Sequence, residues 1–161
     1  MANRDNPKGF KWVRSLLGND TSPIVKEAPV GASTTIAEGD TIILSSGLAT
    51  IGLSNSAQIY GVAIEAVATG AGETDTIKFI PALPWYVFRG QCNGTYAITV
   101  NGTNVDIEGA TGVQEINEDA TTEKVVCVLE LSDLPNNAVG ANAEVDFVFT
   151  RSQFLGIMET A

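Results

Sequence analysis

The sequence predicts an all-β fold, a compact β-barrel or sandwich of short antiparallel strands with an extended N-terminal arm. From residue 39 onward, short segments of alternating apolar and polar residues are separated by turn-forming residues, as in barrels and sandwiches. Sixteen glycines supply the turns. Apart from a single turn near residues 15–17, no stretch has the 3.6-residue apolar period of an amphipathic helix.

We expect residues 1–30 to form the arm and residues 31–161 to form a single β domain. Pro7, Pro23 and Pro29 interrupt the first thirty residues, which show no sustained period. Because proline fixes φ and lacks an amide hydrogen, this segment is expected to be extended and to stay out of central strands. Its large apolar side chains are unusual for a disordered tail, so we expect it to become ordered by lying on a surface.

The first strands of the β domain are predicted from short apolar runs bounded by turn residues. They are residues 40–44, 58–68, 76–80 and 85–89. A Ser-Ser-Gly turn at 45–47 follows the first strand. The alanines of the second would also suit a helix, but Gly61 and the β-branched residues favour a strand.

Residues 96–108 (YAITVNGTNVDIE) predict a β-hairpin. A two-residue Asn-Gly turn at 101–102 tolerates positive φ and would put Tyr96 opposite Ile107. The apolar residues then fall on one face, and Asp106 falls on the polar face.

Two further strands are predicted at residues 124–131 and 144–151. In each, alternate residues are apolar and are expected to face the core. The core-facing residues are Val125, Cys127, Leu129 and Leu131 in the first and Val145, Phe147 and Phe149 in the second.

The charges are unevenly distributed along the chain. Residues 1–26 carry five basic and two acidic residues, a net charge of +3, whereas the remaining residues carry four basic and seventeen acidic ones, a net charge of −13. Arm and body are therefore expected to attract different partners, or the arm of one copy to bind the body of another. An acidic body repels phosphate backbones, so we expect no nucleic-acid partner. No apolar run reaches the length of a membrane span, so we expect no membrane partner.

The composition also bears on catalysis. The chain contains no histidine, which excludes Ser-His and Cys-His pairs and imidazole metal ligands. No phosphate-binding glycine motif is present. We therefore expect no enzyme, no catalytic residues, no cofactor and no metal.

Two acidic groups could still form a site. The loop at 115–123 (EINEDATTE) could offer oxygen ligands to Ca²⁺, but it matches no EF-hand, and a solvated loop explains it better. Asp106 and Glu108 could resemble a glycosidase carboxylate pair, although the polar face of a sheet is the more common explanation.

The cysteines and aromatic residues allow similar alternatives. Cys127 is expected in the core, and Cys92 has only Arg89 nearby to lower its pKa. Exposed aromatic residues could stack on sugars, whereas core and interface packing is commoner. This set is Tyr60, Trp85, Tyr86 and Tyr96.

The arm is the strongest candidate for a binding site, because aromatic residues and arginine are common interface anchors. We expect it to contact a capsid or a neighbouring subunit through basic and apolar side chains. They are Arg4, Phe10, Lys11, Trp12, Val13, Arg14, Leu16 and Leu17.

Several segments carry a resemblance to a known group. The opening MANRDNPKGFKWVR resembles the start of small head proteins of tailed bacteriophages, which often begin Met-Ala-Asn-x-Asp-x-Pro-x-Gly-Phe. The segments GDTIIL, IYGVAIEAVA and TIKFIP are similar to the β-barrel of phage capsid decoration, or cement, proteins. INEDATT and VDFVFTRSQF are also similar to that group.

The resemblance implies a structural virion protein, made in the host cytoplasm and bound to the outer capsid surface. It would stabilise the shell by bridging major capsid subunits, and it would bind neighbouring copies of itself as a homo-oligomer, a trimer being favoured. A carbohydrate-binding or adhesion module is the alternative from another class.

Overall fold

The computed structural model describes residues 3–18 and 22–156, which form short strands and a single 3₁₀ turn at Ile98–Val100. The strands are β1 (Lys11–Ser15), β2 (Lys26–Val30), β3 (Thr35–Ile36), β4 (Thr41–Ser45), β5 (Leu48–Ile51), β6 (Gly61–Ala63), β7 (Val67–Ala68), β8 (Asp75–Pro81), β9 (Tyr86–Gln91), β10 (Thr95–Tyr96), β11 (Asn104–Glu108), β12 (Glu115–Asn117), β13 (Val126–Leu131), β14 (Gly140–Ala141) and β15 (Glu144–Phe149). The described part of the chain contains no helix with the length and apolar character that a membrane span requires.

Two larger sheets make up the architecture, which confirms the predicted all-β class. A six-stranded sheet has the order β1-β9-β15-β13-β11-β12, and a closed barrel has the order β2-β5-β4-β6-β8. Two small sheets pair β3 with β7 and β10 with β14. The chain thus starts in the large sheet, forms the barrel and returns to the large sheet at β9.

The barrel closes because β2 pairs with β5 on one side and with β8 on the other, and its strands show the predicted turns and alternation. The predicted Ser-Ser-Gly turn joins β4 to β5, with positive φ at Ser46 and Gly47, as a tight hairpin turn requires. In β8, Ile77 and Phe79 are buried and Lys78 is exposed. The predicted strand at 58–68 is divided into β6 and β7 by a bend at residues 64–65.

The larger apolar core of the protein lies between the large sheet and the barrel. Phe88, Phe147 and Phe149 of the sheet form its aromatic centre, with ring centroids 5.1 to 6.2 Å apart. Val62 and Ile80 of the barrel belong to the same cluster of buried residues. Sheet and barrel therefore bury apolar surface against each other.

The extended N-terminal arm expected over residues 1–30 is not confirmed. Lys11–Ser15 is an edge strand of the large sheet, paired antiparallel with β9, and Lys26–Val30 is a strand of the barrel. Pro29 is accommodated in β2 with its side chain exposed, between buried Ala28 and Val30. Residues 1, 2 and 19–21 of the expected arm, and residues 157–161, lie outside the described residues.

The hairpin predicted at 96–108 is wrong. Tyr96 pairs with Gly140 in the small β10-β14 sheet, whereas β11 pairs with β12 and β13. Asn101 has φ −60° and ψ 133° and only Gly102 has positive φ. These are values of a type II turn, whereas a type I′ hairpin needs positive φ at both residues.

The two strands near the carboxyl end differ in outcome. Val145, Phe147 and Phe149 of β15 are fully buried, as predicted. In the strand predicted at 124–131, Val125 is buried as predicted, but within β13 the predicted face is wrong, because Val126 and Val128 are the fully buried residues. The half-buried residues there are Cys127, Leu129 and Leu131. A continuous apolar run contains no polar residue to mark its outer face.

Candidate interface site at the N-terminal segment

Phe10 lies in the protein's own core. It is 3% exposed, and its ring meets Phe147 edge-on at a centroid distance of 5.2 Å. Its backbone N–H donates to the Gly39 carbonyl over 2.7 Å. Gly90 makes room for the ring, because a Cβ atom there would lie 2.5 Å from Phe10 Cδ1. Phe10 therefore anchors the N-terminal segment, residues 3–15, to its own body.

Trp12 and Val13 are half-buried within β1. The Trp12 ring packs edge-on against Tyr86 at 6.1 Å. Its indole Nε1 is buried and has no hydrogen-bond acceptor among the described residues. Val13 lies at a register shift between β1 and β9, which is typical of a bulge that interrupts an edge strand.

Arg14 is held in an ionic cluster on the other face of the sheet. It forms ion pairs with Asp146 at 2.7 Å and Glu130 at 2.6 Å. Asp146 is 2% exposed and also accepts hydrogen bonds from Arg89 at 2.8 Å and Ser132 at 2.5 Å. Burial by itself raises the pKa of Asp146, but these hydrogen bonds hold it below its ordinary value. The cluster fastens β1 across β9 to β15.

The residues before β1 are fastened as well. The Asn3 side chain exchanges hydrogen bonds with the backbone of Ala138 and donates to the carbonyl of Ala141. The Asn6 N–H donates to Gln91 Oε1 over 3.0 Å, and Gln91 Nε2 donates to Asp5. The segment is thus ordered by lying on a surface, as expected, and that surface belongs to the same chain.

The described residues of the connection between β1 and β2, 16–18 and 22–25, include four exposed large apolar side chains. Leu16 is 54% and Leu17 is 68% exposed, and Ile24 and Val25 are 51% and 46% exposed. The Leu16 N–H donates to the Trp85 carbonyl, and the Ile24 N–H donates to the Tyr86 hydroxyl. Leu16 and Ile24 are therefore held at two adjacent residues, Trp85 and Tyr86, and we call the four exposed side chains the apolar corner of the connection.

The predicted interface residues consequently divide into two sets. Phe10, Trp12 and Arg14 make internal contacts, and Val13 is half-buried beside them in β1. The exposed set is Arg4, Lys11, Leu16 and Leu17. The sequence analysis did not include Ile24 and Val25 among the interface residues. Both follow Pro23 in a stretch without periodicity, and this pattern could have indicated that they are exposed.

A groove of about 930 Å³ runs between the N-terminal segment and the barrel. We call it the cationic groove, because Arg4, Lys8 and Lys11 line it on the side of the N-terminal segment. Arg89, Trp12 and Gly90 also border it from the large sheet. Val62 and Ile64 border it from the barrel, and Glu38 and Glu144 are the acidic residues at its edge.

The carboxylates suggested for Ca²⁺ or for a glycosidase pair have internal roles. Asp106 is 5% exposed, contrary to its predicted place on a polar face. It accepts hydrogen bonds from the backbone N–H groups of Thr122, Glu123 and Lys124. Its oxygens are therefore occupied in holding the loop before β13.

Glu108 and Glu118, of the acidic loop, likewise lie against their own chain. Glu108 accepts hydrogen bonds from the amides of Asn93 and Asn117. Glu118 is 7% exposed and its carboxylate makes no well-formed hydrogen bond, although the backbone N–H groups of Gly94 and Glu118 lie close to it. In residues 3–18 and 22–156, no three histidine, cysteine, aspartate or glutamate side chains are arranged to hold a metal ion.

The cysteines and aromatic residues are accounted for by packing. Cys92 is fully buried, and burial together with the charges of Glu118 and Glu115 raises the pKa of its thiol to about 12. Cys127, expected in the core, is half-buried on the outer side of β13. Tyr86 and Tyr96 are each 1% exposed, so the four aromatic residues considered for sugar stacking do not form one exposed surface.

No protein-family model matches the chain, and no curated protein matches it significantly.

Proposed function

We propose that this chain is a non-enzymatic capsid decoration protein of a tailed bacteriophage. It binds the outer surface of the shell and bridges neighbouring major capsid subunits. The resemblance of its opening residues and barrel segments to that group supports the proposal, and so does a compact all-β fold. A net charge of −10 disfavours binding to packaged nucleic acid.

The exposed apolar corner at the β1–β2 connection carries the proposal. Four large apolar side chains within ten residues are about half exposed or more, and apolar patches of this kind mark interaction surfaces on proteins that are otherwise well packed. Burying one such side chain contributes roughly 1 kcal/mol or more to association. The corner therefore offers a contact for a large, stable partner.

The mechanism is one of mass action. A protein that binds only the assembled lattice lowers the free energy of that lattice relative to its separated subunits. The N-terminal segment then has a different role from a free arm. Phe10 and the Arg14 cluster hold β1 in place, and this fixes one end of the connection that carries the docking side chains.

Co-sedimentation with phage shells that have been stripped of the protein tests the proposal. The native protein is expected to pellet with the shells and to raise the temperature at which they disrupt. The double variant Leu16→Asp/Leu17→Asp is expected to lose at least tenfold in affinity, because two charges would have to be desolvated in the contact.

The matched control is Ile98→Asp/Val139→Asp, which places the same charges at residues that are 70% and 58% exposed elsewhere. It should bind like the native protein. Equal loss in both variants, or no loss in the first, would remove the connection as the docking site. A native protein that never pellets with shells would refute the proposed function.

A further inference from the structure

The cationic groove offers charges that the folded chain does not use. Among the described residues, the ion pairs involve only Arg14, Lys78 and Arg89 as basic partners. Lys8 and Lys11 are exposed and unpaired at the groove. Such lysines are fully hydrated, so a partner carboxylate can approach them without breaking an internal contact.

The groove is locally cationic on a chain that is otherwise strongly acidic. Arg4, Lys8 and Lys11 face two carboxylates, those of Glu38 and Glu144, whereas the whole chain has a net charge of −10. Attraction of an anionic ligand is therefore directed to this groove, since the rest of the surface repels it.

The two lysines lie on the same N-terminal segment, and both are exposed at the border of the groove. An extended peptide that lies in the groove would present its carboxylates to Lys8 and Lys11 together.

We propose that the cationic groove binds an extended, acidic segment of the capsid subunit. This inference rests on the proposed function and deepens it, because it names the chemistry of the partner. The volume of about 930 Å³ lies within the range of ligand-binding clefts and suits a short stretch of chain. The exposed side chain of Ile64 at its border would contact the side chains that alternate with the carboxylates.

Fluorescence anisotropy with labelled synthetic peptides measures this binding directly. The probes are a twelve-residue peptide of alternating Glu and Val and a peptide in which every Glu is replaced by Gln. The acidic peptide is expected to bind at least tenfold more tightly, and its affinity should fall when salt is raised from about 50 to 200 mM. Equal affinity for the two peptides would overturn the inference.

Two charge-matched double variants locate the site. Lys8→Glu/Lys11→Glu should weaken binding of the acidic peptide at least tenfold, and Lys26→Glu/Lys124→Glu, at exposed lysines outside the groove lining, should change it less than twofold. Equal loss in both would show non-specific attraction and overturn the proposal. Lys8→Gln/Lys11→Gln, which adds no negative charge, keeps the test valid if the first variant folds poorly.

Two other occupants are distinguished in the same series. A labelled twelve-residue oligothymidine that binds as tightly as the acidic peptide would assign the groove to nucleic acid. A lower native mass for Lys8→Glu/Lys11→Glu in sedimentation equilibrium, without peptide binding by the native protein, would assign it to a second copy. Either result overturns the acidic-segment assignment.

Co-sedimentation with shells separates this inference from the proposed function. If the native protein and Lys8→Glu/Lys11→Glu pellet equally well, the function stands and the groove inference fails. If the native protein does not pellet, the proposed function fails. The partner assignment fails with it, and the peptide measurement still decides whether the groove selects acidic chains.

Discussion

At the scale of single residues, the opening motif is explained by packing within the chain. Gly9 has φ 72°, and a Cβ atom there would lie 2.5 Å from the Gly39 carbonyl oxygen. Glycine is therefore required where the N-terminal segment passes the barrel. The next residue, Phe10, enters the core above Gly90. Gly9 and Phe10, which look like an exposed binding motif in the sequence, thus make contacts within the chain that hold the N-terminal segment on the body.

Gly90→Ala tests this fastening. A methyl group would overlap the Phe10 ring, so we expect the free energy of unfolding to fall by about 1–3 kcal/mol, as overpacked cores do. Urea denaturation measures the change. The double variant Gly90→Ala/Phe10→Leu, with a smaller side chain at residue 10, should be less destabilised than the sum of the two single variants. Additive costs would show that the two residues do not compete for the same space.

At the scale of elements, the loop between β12 and β13 packs around two buried acidic groups, Asp106 of β11 and Glu118 of the loop itself. Asp106 holds the end of this loop through three backbone N–H groups. Glu118 is buried at its start against Gly94. Burial is the largest cause that raises the pKa of Glu118, and the charges of Asp119 and Glu108 raise it further.

The raised pKa makes the stability of this loop depend on pH. The folded chain binds a proton at Glu118 more tightly than the unfolded chain does. The stability that this proton confers is present at low pH and is lost as pH rises toward the folded-state pKa. Burial also raises the pKa of Glu115 and Asp40, so these groups act in the same direction. Asp146, whose pKa is lowered, acts in the opposite direction at acidic pH.

Glu118→Gln is therefore expected to stabilise the protein by about 1–3 kcal/mol at pH 8, since an unpaired buried charge is removed. The variant should also show a smaller decrease in melting temperature between pH 5 and pH 8 than the native protein. Melting curves across that range measure both effects. Glu27→Gln, an equal charge change at an exposed residue of β2 that is not among the charges acting on Glu118, is the control and should leave the slope unchanged. A destabilised Glu118→Gln protein would contradict the assignment.

At the scale of the whole molecule, the sheet and the barrel are joined through one shared core. Ile59, Val62 and Ile80 pack in the cluster that contains Phe88 and Phe147. The barrel has a smaller cluster of its own. Phe154 contacts both clusters. Neither part buries all of its apolar surface alone, so the two are expected to unfold together.

Coincidence of unfolding curves tests this expectation. Both tryptophans, Trp12 and Trp85, pack against the shared core, so their fluorescence reports on the sheet, whereas far-ultraviolet circular dichroism reports on all strands. The two signals should give the same urea midpoint. Ile80→Ala should lower both midpoints together, at a cost of about 2–5 kcal/mol. Two separate transitions would show that the barrel and the sheet are independent.

Local sequence by itself determined the fold class and many strands. Alternation along β15 and turn residues such as Ser46 and Gly47 sufficed for this, because these signals depend on neighbours only a few residues apart. The composition also showed that the N-terminal segment is apolar and cationic, so that it was expected to pack on another surface.

Only the tertiary structure decided which surface that is. Phe10 meets Gly90, and Arg14 meets Asp146, across 80 and more residues of chain, and nothing local to the first thirty residues records those partners. For the same reason the side of β13 that faces the core, and the pairing of Tyr96 with Gly140, could not be predicted. Burial and pairing between distant segments depend on how the whole chain packs, and local periodicity does not encode them.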